Sequence, residues 1–392
     1  MQQDVPTDSA PGLDDSVFLH VIEKGEVADR IRLAAQIAGF LANESEPRDE
    51  RALVVPAAMH LMADPEFEVR ATLARGLIET PDLDADLLFA IIADEDEIAL
   101  PFLSLTPSLT HWHMLAVLRV GDEMRQGCVA MRPDVSEEAI NYIVDAPPLA
   151  IALLLFENEA ITLDPGHLRR LYARFGDNEE MLEKLLARPD LPLDVRITQA
   201  GRSAARLQQL LLERQWLSAH EALELVADAE ENAMLGILIA ATPEELPDTV
   251  GFLIDAEVLT PSLVVRAACR GAMGVLAGVL SNLADLSLQR VEEIMFELPP
   301  SNFRSLHARA GLPESTYWTL QAACDVAREE REEEISLSSD DFGRRLIEVL
   351  LTSYEALPPT DRPRQLDFVG RFAADRPRRI ARRLKDELLN AA

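Results

Sequence analysis

Aromatic residues are scarce in this chain, 5% of 392 positions. The shortage argues against sheets, which draw on aromatic and β-branched side chains. Leucine and alanine are abundant instead, which favours helix packed on helix. Cysteine is scarcer still. Cys128, Cys269 and Cys324 sit singly in apolar runs with no close pair, so neither a disulfide framework nor a thiolate metal cluster is expected. All three are expected to be core residues in a reducing compartment. Basic residues are outnumbered, 37 against 68 acidic, for a formal charge of −31. So acidic a surface repels phosphate backbones and anionic membranes, and nucleic acid is not an expected partner. No apolar run approaches the ~20 residues needed to span a bilayer. Met1–Asp15 lacks the basic start and apolar core of a signal peptide. A soluble, cytoplasmic protein is the expectation.

Catalytic motifs are missing as well. There is no Gly-rich phosphate loop and no Gly-x-Ser-x-Gly elbow. His111-Trp112-His113 cannot clasp one metal ion from a helix, because positions i and i+2 point about 200° apart. His220-Glu221 begins like a zinc-protease helix, but Glu224 stands where the second histidine belongs. Lys385-Asp386-Glu387-Leu388 spells a retention tetrapeptide, yet it is not terminal. No catalytic residue, metal ligand or cofactor site is expected. His307, between Arg304 and Arg309, has two readings: a phosphoacceptor, if exposed on its helix, or an ordinary surface histidine.

What is present is repetition. Hydrophobic residues at 48% with 27% charged describe a folded chain. Thr80-Pro81-Asp82-Leu83, Thr106-Pro107-Ser108-Leu109, Arg132-Pro133-Asp134-Val135 and Arg188-Pro189-Asp190-Leu191 punctuate it. The first three prolines are 26 residues apart, and Asp164-Pro165 is the expected degenerate mark before the last. Short apolar runs such as Val69–Ile78, Leu87–Ile92, Cys128–Met131 and Ile140–Val144 flank the marks. Two short helices per fixed period predict a helical solenoid.

Local signals predict the helix ends. Val27–Leu41 and Ala52–Met62 are expected helices, and Pro65 is expected in the first turn of the next. Gly121-Asp122 and Gly176-Asp177 read as a stop followed by an N-cap. Pro101 predicts a helix that is short or starts there. Thr242-Pro243-Glu244-Glu245 and Thr260-Pro261 predict capped starts with proline at the first helical position. Leu263–Leu280, Leu286–Phe296, Phe303–Ala310 and Trp318–Arg331 are expected helices. Glu329–Asp341 is the expected linker, with a Ser338–Asp341 cap beginning a last module. The organisation expected is a disordered tail over residues 1–15, a repeat solenoid over 16–195, an irregular helical continuation over 196–335, and a C-terminal helical module over 336–392.

These residues resemble a known family. Asp64-Pro65 with Glu68-Val69-Arg70, the acidic Asp94–Glu97 before Ile98-Ala99-Leu100-Pro101, and Arg188-Pro189-Asp190-Leu191-Pro192 match its repeat half. Leu259-Thr260-Pro261-Ser262-Leu263 with Arg266 and Cys269-Arg270-Gly271, then Arg309-Ala310-Gly311-Leu312-Pro313, match its C-terminal half. The chain is similar, over about residues 50–330, to the bacterial proteins grouped as domain of unknown function 2336, common in alphaproteobacteria. Its repeats resemble HEAT and leucine-rich-variant solenoids. The resemblance implies an all-α fold, a short-period HEAT-like solenoid continued by irregular helices, and supplies no catalytic residue.

Charge divides unevenly along the chain. Residues 342–392 carry eleven Arg/Lys against seven Asp/Glu, a net of +4, so residues 1–341 hold −35. Beyond Asp375 and Pro377, Ile380, Leu384 and Leu388 form an apolar stripe flanked by Arg378, Arg379, Arg382, Arg383 and Lys385. This basic amphipathic helix either docks on the chain's own acidic body, meets an acidic partner or membrane surface, or is simply solvated. The function expected is a non-enzymatic interaction scaffold or adaptor, regulatory or signalling in role, with an unidentified protein partner. The alternatives are an enzyme on a HEAT-like scaffold (a DNA glycosylase or chromophore lyase) and a phosphorelay component using His307.

Overall fold

The computed structural model describes Val21 and residues 24–352. The expected tail and the basic stretch Arg378–Lys385 lie outside the described residues. Every regular element among those described is helical. The chain divides into two compact units, one ending at Leu191 and the other beginning at Pro192.

The first unit holds α1 (Val27–Leu41), α2 (Arg48–Met62), α3 (Phe67–Leu77), α4 (Ala85–Ile92), α5 (Asp96–Leu105), α6 (His111–Val120), α7 (Glu123–Ala130), α8 (Glu137–Asp145), α9 (Leu149–Glu157), α10 (Pro165–Phe175) and α11 (Glu179–Ala187). Most are too short to stand alone in water, and each buries an apolar row against its neighbours. Packing runs between alternate helices. α1, α3, α5, α7 and α9 touch in series, while α2 meets α4, and α6, α8 and α10 form a second series. That two-layered, one-dimensional adjacency is a solenoid's. The tightest crossing is α1 on α3, where a side chain at Gly76 would lie 2.5 Å from the Ala38 methyl.

A polar spine holds the turns in register. Thr80, Thr106, Arg132 and Asn158 are all buried and stand 26 residues apart. From the second turn on, side chains donate to carbonyls of the turn before. Ser108 Oγ donates to Thr80 O at 2.7 Å and accepts the Leu83 N–H at 2.9 Å. The Arg132 guanidinium donates to Leu103 O at 2.6 Å and Thr106 O at 2.8 Å, and grips Asp134 through two 2.8 Å bonds. Asn158 Nδ2 donates to Ala130 O at 2.9 Å and Arg132 O at 2.8 Å. The fourth mark is therefore Asn158, which no proline follows. Asp164-Pro165 does other work: Asp164 caps α10 and Pro165 opens it.

Arginines brace the same unit from the sides. Arg30 pairs with Asp64 at 2.6 Å, Arg70 with Asp94 at 2.9 Å, and Arg125 donates to Ile92 O and Asp94 O at 2.9 and 2.6 Å. Arg174 reaches the carbonyls of Val144 and Pro147. A guanidinium placed over the last carbonyls of a helix satisfies acceptors that have no intrahelical donor and complements the dipole.

Several expected helix ends move by a residue or two. Pro65 is not in the first turn of α3: Asp64 accepts the Glu66 N–H at 2.9 Å, so the turn runs on and α3 starts at Phe67. Asn178, not Asp177, caps α11, since its Oδ1 reaches the Met181 N–H at 3.0 Å. Pro101 lies inside α5, on its exposed face, where water can reach the carbonyl that loses its donor. Gly121-Asp122 and Thr260-Pro261 end and start helices as expected.

The second unit holds α12 (Leu193–Glu213), α13 (Ala219–Ala240), α14 (Leu246–Asp255), α15 (Pro261–Cys269), α16 (Met273–Ala284), α17 (Leu288–Phe296), α18 (Pro300–Arg309), α19 (Tyr317–Glu332) and α20 (Ser339–Thr352). Its core gathers Leu276, Leu280, Phe303, Leu320 and Phe342 around α15, α16 and α19. The single helix expected over Leu263–Leu280 is two, because Gly271 takes φ +70° and turns the chain between α15 and α16. The capping pair Thr242 and Glu245 does form, at 3.0 and 3.3 Å, but it closes a turn before α14, whose early proline is Pro247 rather than Pro243. The expected linker narrows to the loop between α19 and α20, since Phe342, Leu346 and Leu350 of α20 enter the core.

Cys269 and Cys324 are buried, whereas Cys128 is only half-buried, correcting its assignment to the core. Burial pushes the Cys324 thiol up to about 12 from an ordinary 9.0. Below pH 9 that thiol is neutral folded and unfolded, so the stability is fully present; as pH rises towards 12 the unfolded state ionises first and stability is lost. Replacing Cys324 by alanine should therefore flatten the alkaline fall in stability between those limits, read by denaturant unfolding at successive pH values. In thiol labelling of the folded protein, Cys128 should react first. Equal rates for all three would contradict their burial.

Candidate functional site

Of the histidines weighed in the sequence, His307 and His113 prove to be structural, whereas His220 is exposed. His307 is 1% exposed, so the expectation of a surface histidine fails. Its Nε2 lies 2.9 Å from Thr316 Oγ1 and its ring sits edge-on to Tyr317 at 5.4 Å. Burial lowers its pKa, which keeps it neutral, and no face is open to a phosphoryl donor. The sequence hid this because α18 is short and its apolar row, Phe303 and Leu306, leaves His307 beside the row. His113 serves as a helix cap: its Nδ1 accepts the Thr110 N–H at 3.3 Å while the Thr110 side chain accepts the His113 N–H.

His167 caps α10 in the same way and also gathers carboxylates, a grouping the sequence did not reveal. Glu137, Asp164 and His167 bring donor atoms within 4.8 Å of one another. His167 is buried and its Nε2, 3.4 Å from Glu137 Oε1, has no aligned hydrogen-bond partner. Its Nδ1 is taken up by the Asp164 N–H at 3.2 Å, which leaves Nε2 as the nitrogen that faces Glu137.

Two clefts open on the second unit. One, about 460 Å³, lies between α19 and α20 and is lined by Glu329, Glu330, Glu333, Asp341, Arg344 and Arg345. The other, about 370 Å³, is lined by Ile239, Leu246, Met273, Gly278 and Leu288 among others. Among the residues lining either cleft there is no histidine, cysteine or lysine, and Ser281, which lines the second, donates its hydroxyl to Leu286 O at 2.7 Å.

The feature that stands out is a set of exposed aromatic side chains on the first unit, in two separate ring pairs. Trp112, at the start of α6, is 68% exposed, and Phe89 on α4 is also exposed. Phe89 meets His113 edge-on at 5.4 Å, and His111 packs beside Trp112 at 4.7 Å. α6 begins where Thr110 caps it, and that cap fixes the orientation of the three-residue run His111-Trp112-His113. Of the chain's three tryptophans, Trp112 and Trp216 are both left this bare, at 68% and 67% exposed, which sacrifices burial that a core could use. Sequence reasoning examined this tripeptide for metal ligands and passed over the tryptophan between them.

Arg378, Arg379, Arg382, Arg383 and Lys385 lie outside the described residues, and no helix among those described is long and apolar enough to cross a membrane. No curated protein and no solved structure matches the chain. A bacterial family does match, over residues 98–358. The match begins later than the expected 50–330, leaving out the Asp64–Arg70 motif, and it runs on through α20, which the resemblance had left outside. With that span of its 392 residues covered, the chain belongs to the family described as an uncharacterised protein conserved in bacteria (DUF2336).

Proposed function

We propose that the protein is a non-enzymatic interaction scaffold whose first unit, built of HEAT-like repeats, presents Trp112 and Phe89 to a protein partner. The exposed tryptophan carries the reading. Tryptophan and tyrosine are enriched among the few residues that dominate binding energy, and a flat indole beside an aromatic neighbour is a ready anchor. The polar groups of the same unit support it from the other side, because Arg70, Arg125, Arg132 and Arg174 are engaged in internal bracing. The basic run Arg378–Lys385 is a second contact in this proposal, suited to an acidic partner. A regulatory or adaptor role, in the cytoplasm, fits such a body.

The test is capture from the native host with the intact chain as bait, beside Trp112→Ala with Phe89→Ala and a chain ending at Thr352. The double variant should lose the principal partner, and Trp112→Ala alone, at a 68% exposed position, should weaken it while keeping the melting temperature within about 2 °C, since exposed substitutions change stability little. A partner retained at full yield by the double variant would overturn the reading. Loss with the shortened chain alone would assign the contact to the basic run instead.

A further inference from the structure

We infer that the partner segment engaged by Trp112 is basic and arginine-rich, and lies extended across the starts of α4, α6 and α8. This rests on the scaffold reading above and adds to it the chemistry of the partner.

Asp86, Trp112 and Glu138 are each the second residue of their helix and stand 26 positions apart. The three helices begin alike. Asp84, Thr110 and Ser136 cap them, and each cap accepts the N–H of the third helical residue, at 3.3, 3.5 and 3.2 Å. Equal caps at equal register set the second residues on one edge of the unit. The helices are neighbours: α6 packs on α8, and Phe89 of α4 meets His113 of α6 edge-on at 5.4 Å. All three second residues are exposed. The edge therefore presents carboxylate, indole and carboxylate on successive turns.

Charge indicates what the edge fits. Residues 76–118 contain no Lys or Arg and eight Asp or Glu, a net of −8. Arginines from outside that stretch, Arg48, Arg70 and Arg125, neutralise Asp82, Asp94, Glu95 and Asp96. Asp86 and Glu138 are not so used: among the described residues neither side chain makes an ion pair or hydrogen bond. A partner can therefore take both carboxylates without breaking any internal brace. A guanidinium suits every part of the edge, because it forks to a carboxylate and also stacks on an indole face. Packed helices lie about 8–10 Å apart, and an extended chain advances about 3.3 Å per residue. Arginines about three positions apart would thus place one on each turn.

Anisotropy of labelled octa-arginine, titrated with the full chain at physiological salt, tests this. Octa-arginine should bind, and octalysine should bind more weakly. Asp86→Asn with Glu138→Gln, and separately Trp112→Ala, should each weaken octa-arginine by at least about tenfold, with circular dichroism unchanged. Removing as many carboxylates from the second unit, by Glu332→Gln with Glu333→Gln, should change nothing, which separates the edge from the formal charge of −31. Binding that the edge variants leave intact, or that the second-unit pair weakens as much, overturns the inference. Octalysine held as tightly as octa-arginine overturns it too. So does a chain ending at Thr352 that binds octa-arginine about tenfold tighter than the intact chain, since the run Arg378–Lys385 would then be the occupant. A host partner lost on Trp112→Ala with Phe89→Ala, yet kept by Asp86→Asn with Glu138→Gln, defeats this inference and leaves the scaffold reading standing. A host partner kept by both defeats the scaffold reading itself.

Discussion

Replacing Arg132 by alanine should destabilise the first unit by about 3–5 kcal/mol, one of the largest costs of any single substitution there. The guanidinium is 4% exposed and donates to two carbonyls of the preceding turn as well as to Asp134. Its removal leaves Leu103 O and Thr106 O buried without these donors, and each such acceptor costs about 1–3 kcal/mol. Asp134 is half exposed, so water can take over its part. The melting transition of this unit should fall by about 10 °C. Arg132→Lys should recover little, because an ammonium cannot fork to carbonyls on one side and a carboxylate on the other. Asn158→Ala should act in the same direction through Ala130 O and Arg132 O. Because Asn158 binds the carbonyl of Arg132 itself, the two substitutions should not add. Unfolding in denaturant, followed by helical signal, measures all three. A loss under 1 kcal/mol for Arg132→Ala would show that the spine is decoration.

In the second unit the corresponding weak point is Phe342. Its ring is fully buried among the side chains of the main core and lies against Gly271. Phe342→Ala should cost about 3–5 kcal/mol through lost transfer energy and the cavity left behind. Gly271→Ala meets the same ring from the opposite side: the new methyl would lie 2.9 Å from Phe342 Cγ, on a residue whose φ of +70° suits glycine. The ring and the missing side chain are thus one fitted pair. Combining the two substitutions should cost less than their sum, since the shortened side chain vacates the space the methyl needs. A full sum would mean that strain at Gly271, and not contact, sets its cost.

The sequence disclosed the repeat because Thr-Pro and Arg-Pro marks recur at one spacing, and the helix ends because Asp122 and Thr260 are strong caps that act locally. It disclosed the all-helical class through the shortage of aromatics and the short apolar runs. Its failures share a cause. Asn158 and Arg132 act on carbonyls 26–29 positions away, and no local pattern records such a bond. The missing side chain at Gly271 makes room for a ring from α20, some seventy positions further along. His307 is buried by Thr316 and Tyr317, which lie past the end of its own helix. Trp112 passed unnoticed for the opposite reason: exposure is a property of what fails to pack against a residue.

Hydrogen exchange on the chain with and without its captured partner tests the central claim most directly. If the exposed aromatics of the first unit are the contact, protection gained on binding should concentrate in peptides covering Phe89 and residues 110–115. Peptides spanning the buried spine at Arg132 and Asn158, slow already, should not change. Protection that appears elsewhere, with Phe89 and Trp112 untouched, would contradict the account.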